Sequence, residues 1–143
     1  MPYKNSLSNI LLVDDSRTDV DLIERAIHNK DAKVQLSVAQ DGQEALACLK
    51  EWEQGSPSPL IVLLDLKLPK VNGLDVLRTL KSHPRYKTLP VIVLTASTDP
   101  HEMLQAYQLG ANSFIMKATD YNEFASSVVL LLHYWCELNI YPE

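Results

Sequence analysis

Residues 60–73 read Leu-Ile-Val-Leu-Leu-Asp-Leu-Lys-Leu-Pro-Lys-Val-Asn-Gly, and the fold follows from how this stretch is understood. Leu60 to Leu64 form an unbroken apolar run, the pattern of a strand buried on both faces of a parallel sheet. The run stops at Asp65. A carboxylate at the end of a buried strand is costly unless it is paired or used. In open parallel sheets, ligands bind in the crevice beyond the carboxyl ends of the strands, which is where Asp65 stands. Pro69 and Gly73 then bracket a turn, and Leu74, Val76, Leu77 and Leu80 recur at helical spacing.

The same strand–acid–helix unit repeats outward from this stretch. Asn9 to Val13 end in Asp14 and Asp15, and Pro90 to Leu94 end in Thr95-Ala96-Ser97. Val34, Leu36 and Val38 alternate with polar residues as in a half-buried strand, and Ser113 to Met116 lead into Lys117. Between them lie amphipathic helices that start with Ser16, Asp41, Asn72, Asp99 and Asp120, each three residues before an acid as in a capping box. Five strands alternating with five helices predict an α/β fold with a parallel sheet covered on both faces.

The 143 residues suit a single domain, expected over 1–143 with a core over 9–138 and no output domain. The formal charge of -5 repels phosphate backbones, so nucleic acid is not an expected partner. Cys48 and Cys136 lack metal-binding or redox spacing and are read as buried, inert thiols of a cytoplasmic protein. Met1 to Ser8 contain no signal-peptide run, and no stretch approaches the roughly 20 apolar residues that span a bilayer. His28, His83, His101 and His133 are scattered without metal spacing, and Trp52 reads as helix packing. The last helix carries two apolar stripes: Phe124, Val128, Leu131, Trp135 and Leu138, and beside them Ala125, Val129, Leu132 and Cys136. One stripe suffices to bury a helix on its own sheet, so the second is available for deeper packing or for another subunit.

The strand ends carry the chemistry. Asp14, Asp15 and Asp65 on neighbouring strands would share one pocket, where like charges disfavour joint ionisation unless a cation is present. Hard oxygen ligands suit Mg2+, which takes one or two carboxylates, waters and a phosphate oxygen. Carboxylates are also nucleophiles in aspartyl phosphate formation. Asp65 is therefore the expected nucleophile; Asp15 and Asp65 are direct metal ligands, Asp14 is a ligand through water, and the Lys67 carbonyl completes the shell. Lys117 and the Thr95 hydroxyl would hold phosphoryl oxygens.

Together, Asp14-Asp15, Asp65 followed by Pro69 and Gly73, Thr95-Ala96, Phe114 and Lys117 resemble the receiver domain of two-component response regulators over residues 9–138. The resemblance implies a doubly wound, flavodoxin-like sheet of order 2-1-3-4-5 and phosphorylation of Asp65 by a sensor histidine kinase. It also implies a stoichiometric phosphoacceptor rather than an enzyme, with a switch in which Phe114 turns inward as Thr95 moves toward the phosphoryl group. Gly55 to Pro59, His83 to Pro90 and the Tyr134-Trp135 ending before Pro142 are similar to cyanobacterial phytochrome response regulators. That similarity implies a light-sensing kinase as partner and a homodimer through the last helix. One departure is Ala118, where the family usually has a proline after a cis bond. A cis bond before a non-proline residue costs about 3 kcal/mol, so Lys117 either tolerates that strain or reaches the pocket by another path.

Two other functional classes compete. A phosphatase of the haloacid dehalogenase type also uses an aspartyl nucleophile and Mg2+, but needs a second acid two residues on for general acid and base work. Lys67 stands there. A phosphorylation-independent adaptor would bind a kinase or partner through the last helix, a reading that Ala118 encourages. A nucleotide-binding protein is disfavoured, because no Gly-rich loop follows the first strand.

Overall fold

Alternation along the central strands decides which helices cover which face. The computed structural model describes residues 8–29 and 33–142; residues 1–7, which hold most of the stretch searched for a signal peptide, lie outside, as do 30–32 and 143. The elements are β1 (Ser8–Val13), α1 (Arg17–Asn29), β2 (Val34–Ala39), α2 (Gly42–Glu53), β3 (Ile61–Leu64), α3 (Gly73–Ser82), β4 (Val91–Thr95), α4 (Pro100–Gln108), β5 (Ser113–Met116) and α5 (Tyr121–Leu132). The five strands form one parallel sheet of order β2-β1-β3-β4-β5.

Successive strand residues point to opposite faces. Ile10, Leu12, Ile61, Leu63, Ile92 and Leu94 pack against α1 and α5, while Leu11, Val13, Val62, Leu64, Val91 and Val93 pack against α2, α3 and α4. Both faces are thus buried. Each such side chain contributes about 2 kcal/mol by leaving water, so the buried polar residues are the exceptions that need a cause. Asp14, Asp41, Asp65, Thr95 and Ser97 are the five among the described residues, and all lie at or just beyond the carboxyl ends of strands.

Helix starts follow the caps expected from sequence. The Asp41, Asn72 and Asp120 side chains accept from the backbone N–H three residues on, whereas Asp99 accepts from His101 N–H. Pro100 occupies the first helical turn.

The chain end departs from expectation. The α-helix stops at Leu132 and continues as a π-helical turn, His133–Leu138. The wider turn rotates later residues off a 3,4 stripe. Leu138 is 62% exposed rather than part of the buried stripe, and Leu132, from the second stripe, is fully buried in the protein's own core. Trp135 and Cys136 are half-buried against the α1/α5 layer. The outward apolar residues are Leu130, Tyr134, Leu138 and Ile140, with Val129 partly exposed beside them. Neither cysteine is fully buried as expected; both lie at intermediate depth outside any disulfide, and burial pushes the Cys48 thiol up. Trp52 is buried as read from the sequence, edge-on to Tyr86 at 5.5 Å.

Candidate functional site

Register assembles the site. Val13 pairs with Leu64, so Asp14 and Asp65 leave adjacent strands side by side; Asp65 N–H bonds to the Val13 carbonyl at 2.9 Å. Thr95 pairs with Met116, and Lys117 N–H bonds to the Thr95 carbonyl at 2.7 Å. Two strand spacings, roughly 10 Å, separate β5 from β3. The long lysine chain crosses much of that gap.

One carboxylate oxygen from each of Asp14, Asp15 and Asp65 lies within 4.8 Å of the others, close enough to hold one ion. Asp14 and Asp65 are buried, while Asp15 faces solvent. The Lys117 ammonium donates to Asp14 Oδ2 at 2.7 Å, Asp19 Oδ2 at 2.8 Å and Asp65 Oδ2 at 3.0 Å. Its side chain is only 7% exposed. Three carboxylates accept from one ammonium, and Asp15 adds a fourth acid to the cluster, a donor set of hard oxygens with an excess of negative charge that fits a small divalent cation.

Burial raises the Asp14 carboxyl above its usual range, although the Lys117 bond and the Ser16 N–H at 2.9 Å pull it back. Burial alone would lower the Lys117 ammonium; hydrogen bonds to Asp14 and Asp19, with the charges of Asp14 and Asp65, more than reverse this and raise it. The ammonium is held charged.

Sequence-predicted residues fall as follows. Asp14, Asp15, Asp65 and Lys117 converge. Lys67 donates its backbone N–H to Asp65 Oδ1 at 3.3 Å while its side chain is exposed. Thr95 is buried, and its hydroxyl oxygen accepts from Ser97 N–H at 3.3 Å. Phe114 is half-buried on β5, its ring centroid 6.4 Å from that of Tyr107. There is no cis peptide bond among the described residues; Lys117 reaches the carboxylates with a trans bond before Ala118, the second of the two paths left open above. Asp19 was missed as a site residue. It reads as a first-turn acid of α1, and its one further signal is that it stands a helical turn beyond Asp15.

The loop after β3 is docked on α2. Pro69 to Val71 form a γ-turn, with Val71 N–H bonded to the Pro69 carbonyl at 2.8 Å and Lys70 at φ +67°. That left-handed backbone is uncommon for a lysine. Lys70 Nζ lies 3.4 Å from Asp41, and Gly42 N–H reaches the Pro69 carbonyl at 3.4 Å. A Cβ on Gly42 would fall 1.9 Å from the Val71 carbonyl oxygen, so the approach requires glycine.

Comparison with known proteins agrees with this geometry. The family model for the response regulator receiver domain matches residues 10–129, and the chain belongs to that family. Response regulator Rcp1 of Synechocystis sp. is 33% identical over 135 residues, covering 93% of this chain and 92% of the relative. A probable methanogenesis regulatory protein, FilR2 of Methanothrix harundinacea, is 37% identical over 134 residues, covering 93% and 86%. The crystal structure of phosphorylated cyanobacterial phytochrome response regulator RcpA superimposes with a TM-score of 0.91 at 31% identity, over 96% of this chain and all of that one. The Mn2+-bound form of Rcp1 gives 0.88 at 33% identity, over 95% and 99%. The chain is a response regulator receiver of two-component signalling. Among the described residues, no helix is long and apolar enough to cross a membrane.

Proposed function

We propose that Asp65 accepts a phosphoryl group from a sensor histidine kinase, a phytochrome-type light sensor, in the cytoplasm, and that phosphorylation signals by changing association with partners. The observation that carries this is the Asp65 carboxylate, set among the Asp14 and Asp15 oxygens within 4.8 Å and 3.0 Å from the Lys117 ammonium. Asp65 attacks phosphorus; the new O–P bond forms as the P–N bond to the donor histidine breaks, and the imidazole leaves with its electron pair and takes up a proton. Asp14, Asp15, Asp65 and the Lys67 carbonyl would hold Mg2+, whose charge supplies neutralisation of the phosphoryl oxygens. Lys117 and the Thr95 hydroxyl bind the remaining oxygens. Phosphorylation adds roughly -1.5 to -2 charges, and Thr95 moving toward them opens space for Phe114 to turn inward. One similarity supports the phytochrome link: RcpA, which is named as a cyanobacterial phytochrome response regulator, aligns along nearly the whole chain.

The test is intact mass after incubation with Mg2+ and a small-molecule phosphodonor. A phosphoryl adduct that requires Mg2+ and disappears in Asp65→Asn is expected. No adduct on folded protein would sink the phosphoacceptor reading and leave the adaptor. The exposed Leu130, Tyr134, Leu138 and Ile140 suit a homodimer through the last helix; a strict monomer in sedimentation at tens of micromolar, with and without a phosphoryl analogue, would remove that part.

A further inference from the structure

Asp19 is the carboxylate of the pocket to which no role has been given. It sits in the first turn of α1, its side chain 26% exposed, and its N–H is taken by the Ser16 hydroxyl at 3.3 Å. Its Oδ2 lies 2.8 Å from Lys117 Nζ, yet it is not in the oxygen cluster of Asp14, Asp15 and Asp65. An ammonium has three N–H donors, and here they go to Asp14, Asp19 and Asp65. Two of those acceptors belong to the cluster that would hold the cation. Lys117 and a cation therefore compete for Asp14 and Asp65, and only Asp19 belongs to Lys117 alone.

We infer that Asp19 is a positioning residue, holding the Lys117 ammonium at the rim of the pocket so that it and a divalent cation share the site. The inference rests on the phosphoacceptor reading above. Without Asp19, the ammonium turns its donors onto Asp14 and Asp65, which raises the barrier to metal entry and displaces the charge that meets the phosphoryl oxygens. A surface acid acting only through its charge would not depend on Lys117. The groove beside the site supplies the control: Asp21 lies on the same helix, further along that groove.

The experiment is calorimetric Mg2+ titration of the wild type, Asp19→Asn, the charge-matched Asp21→Asn, Lys117→Met, and the Asp19→Asn, Lys117→Met double variant, followed by phosphodonor rates. Asp19→Asn is expected to weaken Mg2+ binding roughly tenfold, the size of one hydrogen bond to a charged group, and to slow adduct formation at saturating Mg2+. With Lys117→Met present, Asp19→Asn should do no more than Asp21→Asn does in the wild type. If Asp19→Asn binds Mg2+ like the wild type, or if its effect persists undiminished without Lys117, the inference is wrong while the phosphoacceptor reading stands. A wild type that binds no Mg2+ and forms no adduct overturns both.

Discussion

Two lysines turn inward at opposite ends of the same strands, and they are built for different purposes. Lys117, beyond the carboxyl end of β5, meets three carboxylates. Lys81, at the end of α3, meets three neutral oxygens: the Lys87 carbonyl at 3.2 Å, the Leu89 carbonyl at 2.8 Å and Asn112 Oδ1 at 2.9 Å. The same Asn112 oxygen accepts from Val91 N–H at 3.0 Å, so Lys81 ties α3, the entry to β4 and the turn before β5 together. Burial lowers the Lys81 ammonium, whereas the carboxylates raise that of Lys117. At the carboxyl end the charge is satisfied by opposite charge in excess, which leaves negative charge for a cation to neutralise. At the other it is satisfied by dipoles alone, which leaves nothing to bind.

The comparison is broken most forcefully at Lys117. Lys117→Met should slow phosphoryl transfer about a hundredfold, the scale of losing one preorganised electrostatic contact. Removing one member of a buried ion pair also costs about 3 kcal/mol, so the metal-free variant should unfold at lower denaturant, with Mg2+ restoring part of the loss. Unchanged transfer rates would show that the ammonium does not meet the phosphoryl oxygens. Lys81→Met should cost about 2 kcal/mol, because a part-buried carbonyl loses its partner, and should leave Mg2+ affinity and phosphorylation untouched. A transfer defect there would erase the distinction between the two ends.

Alkaline titration sharpens the contrast with a smaller effect. The raised Lys117 ammonium contributes stability that is complete below its unfolded value of 10.5 and is lost as pH rises above it. Lys81 acts oppositely: its folded value lies below 10.5, the unfolded chain binds more protons in that window, and stability rises with pH through it. Denaturation followed from neutral pH upward should lose the late fall in Lys117→Met and the earlier rise in Lys81→Met. Identical pH profiles for both variants would contradict the assignment.

Much of this was legible in the residues because apolar runs and strand-end acids are local signals. Leu60 to Leu64 with Asp65, and the caps at Asp41, Asn72 and Asp120, needed no tertiary information. Strand order did, and came from family resemblance rather than from pattern. Asp19 escaped because a first-turn acid is explained by its own helix; its reach to a lysine 98 residues away depends on where β5 ends. The end of the last helix escaped for another reason. A 3,4 stripe assumes bonds four residues apart, and Asn139 N–H instead bonds to the Tyr134 carbonyl five back, at 2.7 Å. That shift turns Leu138, the last residue of the predicted first stripe, outward, while Leu132 of the second is buried, so the exposed apolar set is Leu130, Tyr134, Leu138 and Ile140.

The close approach at Gly42 has a consequence for anyone recombining such proteins. The turn that follows the phosphoacceptor strand and the opening of α2 fit together only because one carbon is missing, with the Val71 oxygen standing 1.9 Å from where it would be. A chimera that joins the Pro69–Val71 turn to an imported helix opening meets a steric clash wherever that opening carries a side chain at the position of Gly42, so compatibility in transplantation is decided jointly by two non-adjacent segments of the chain.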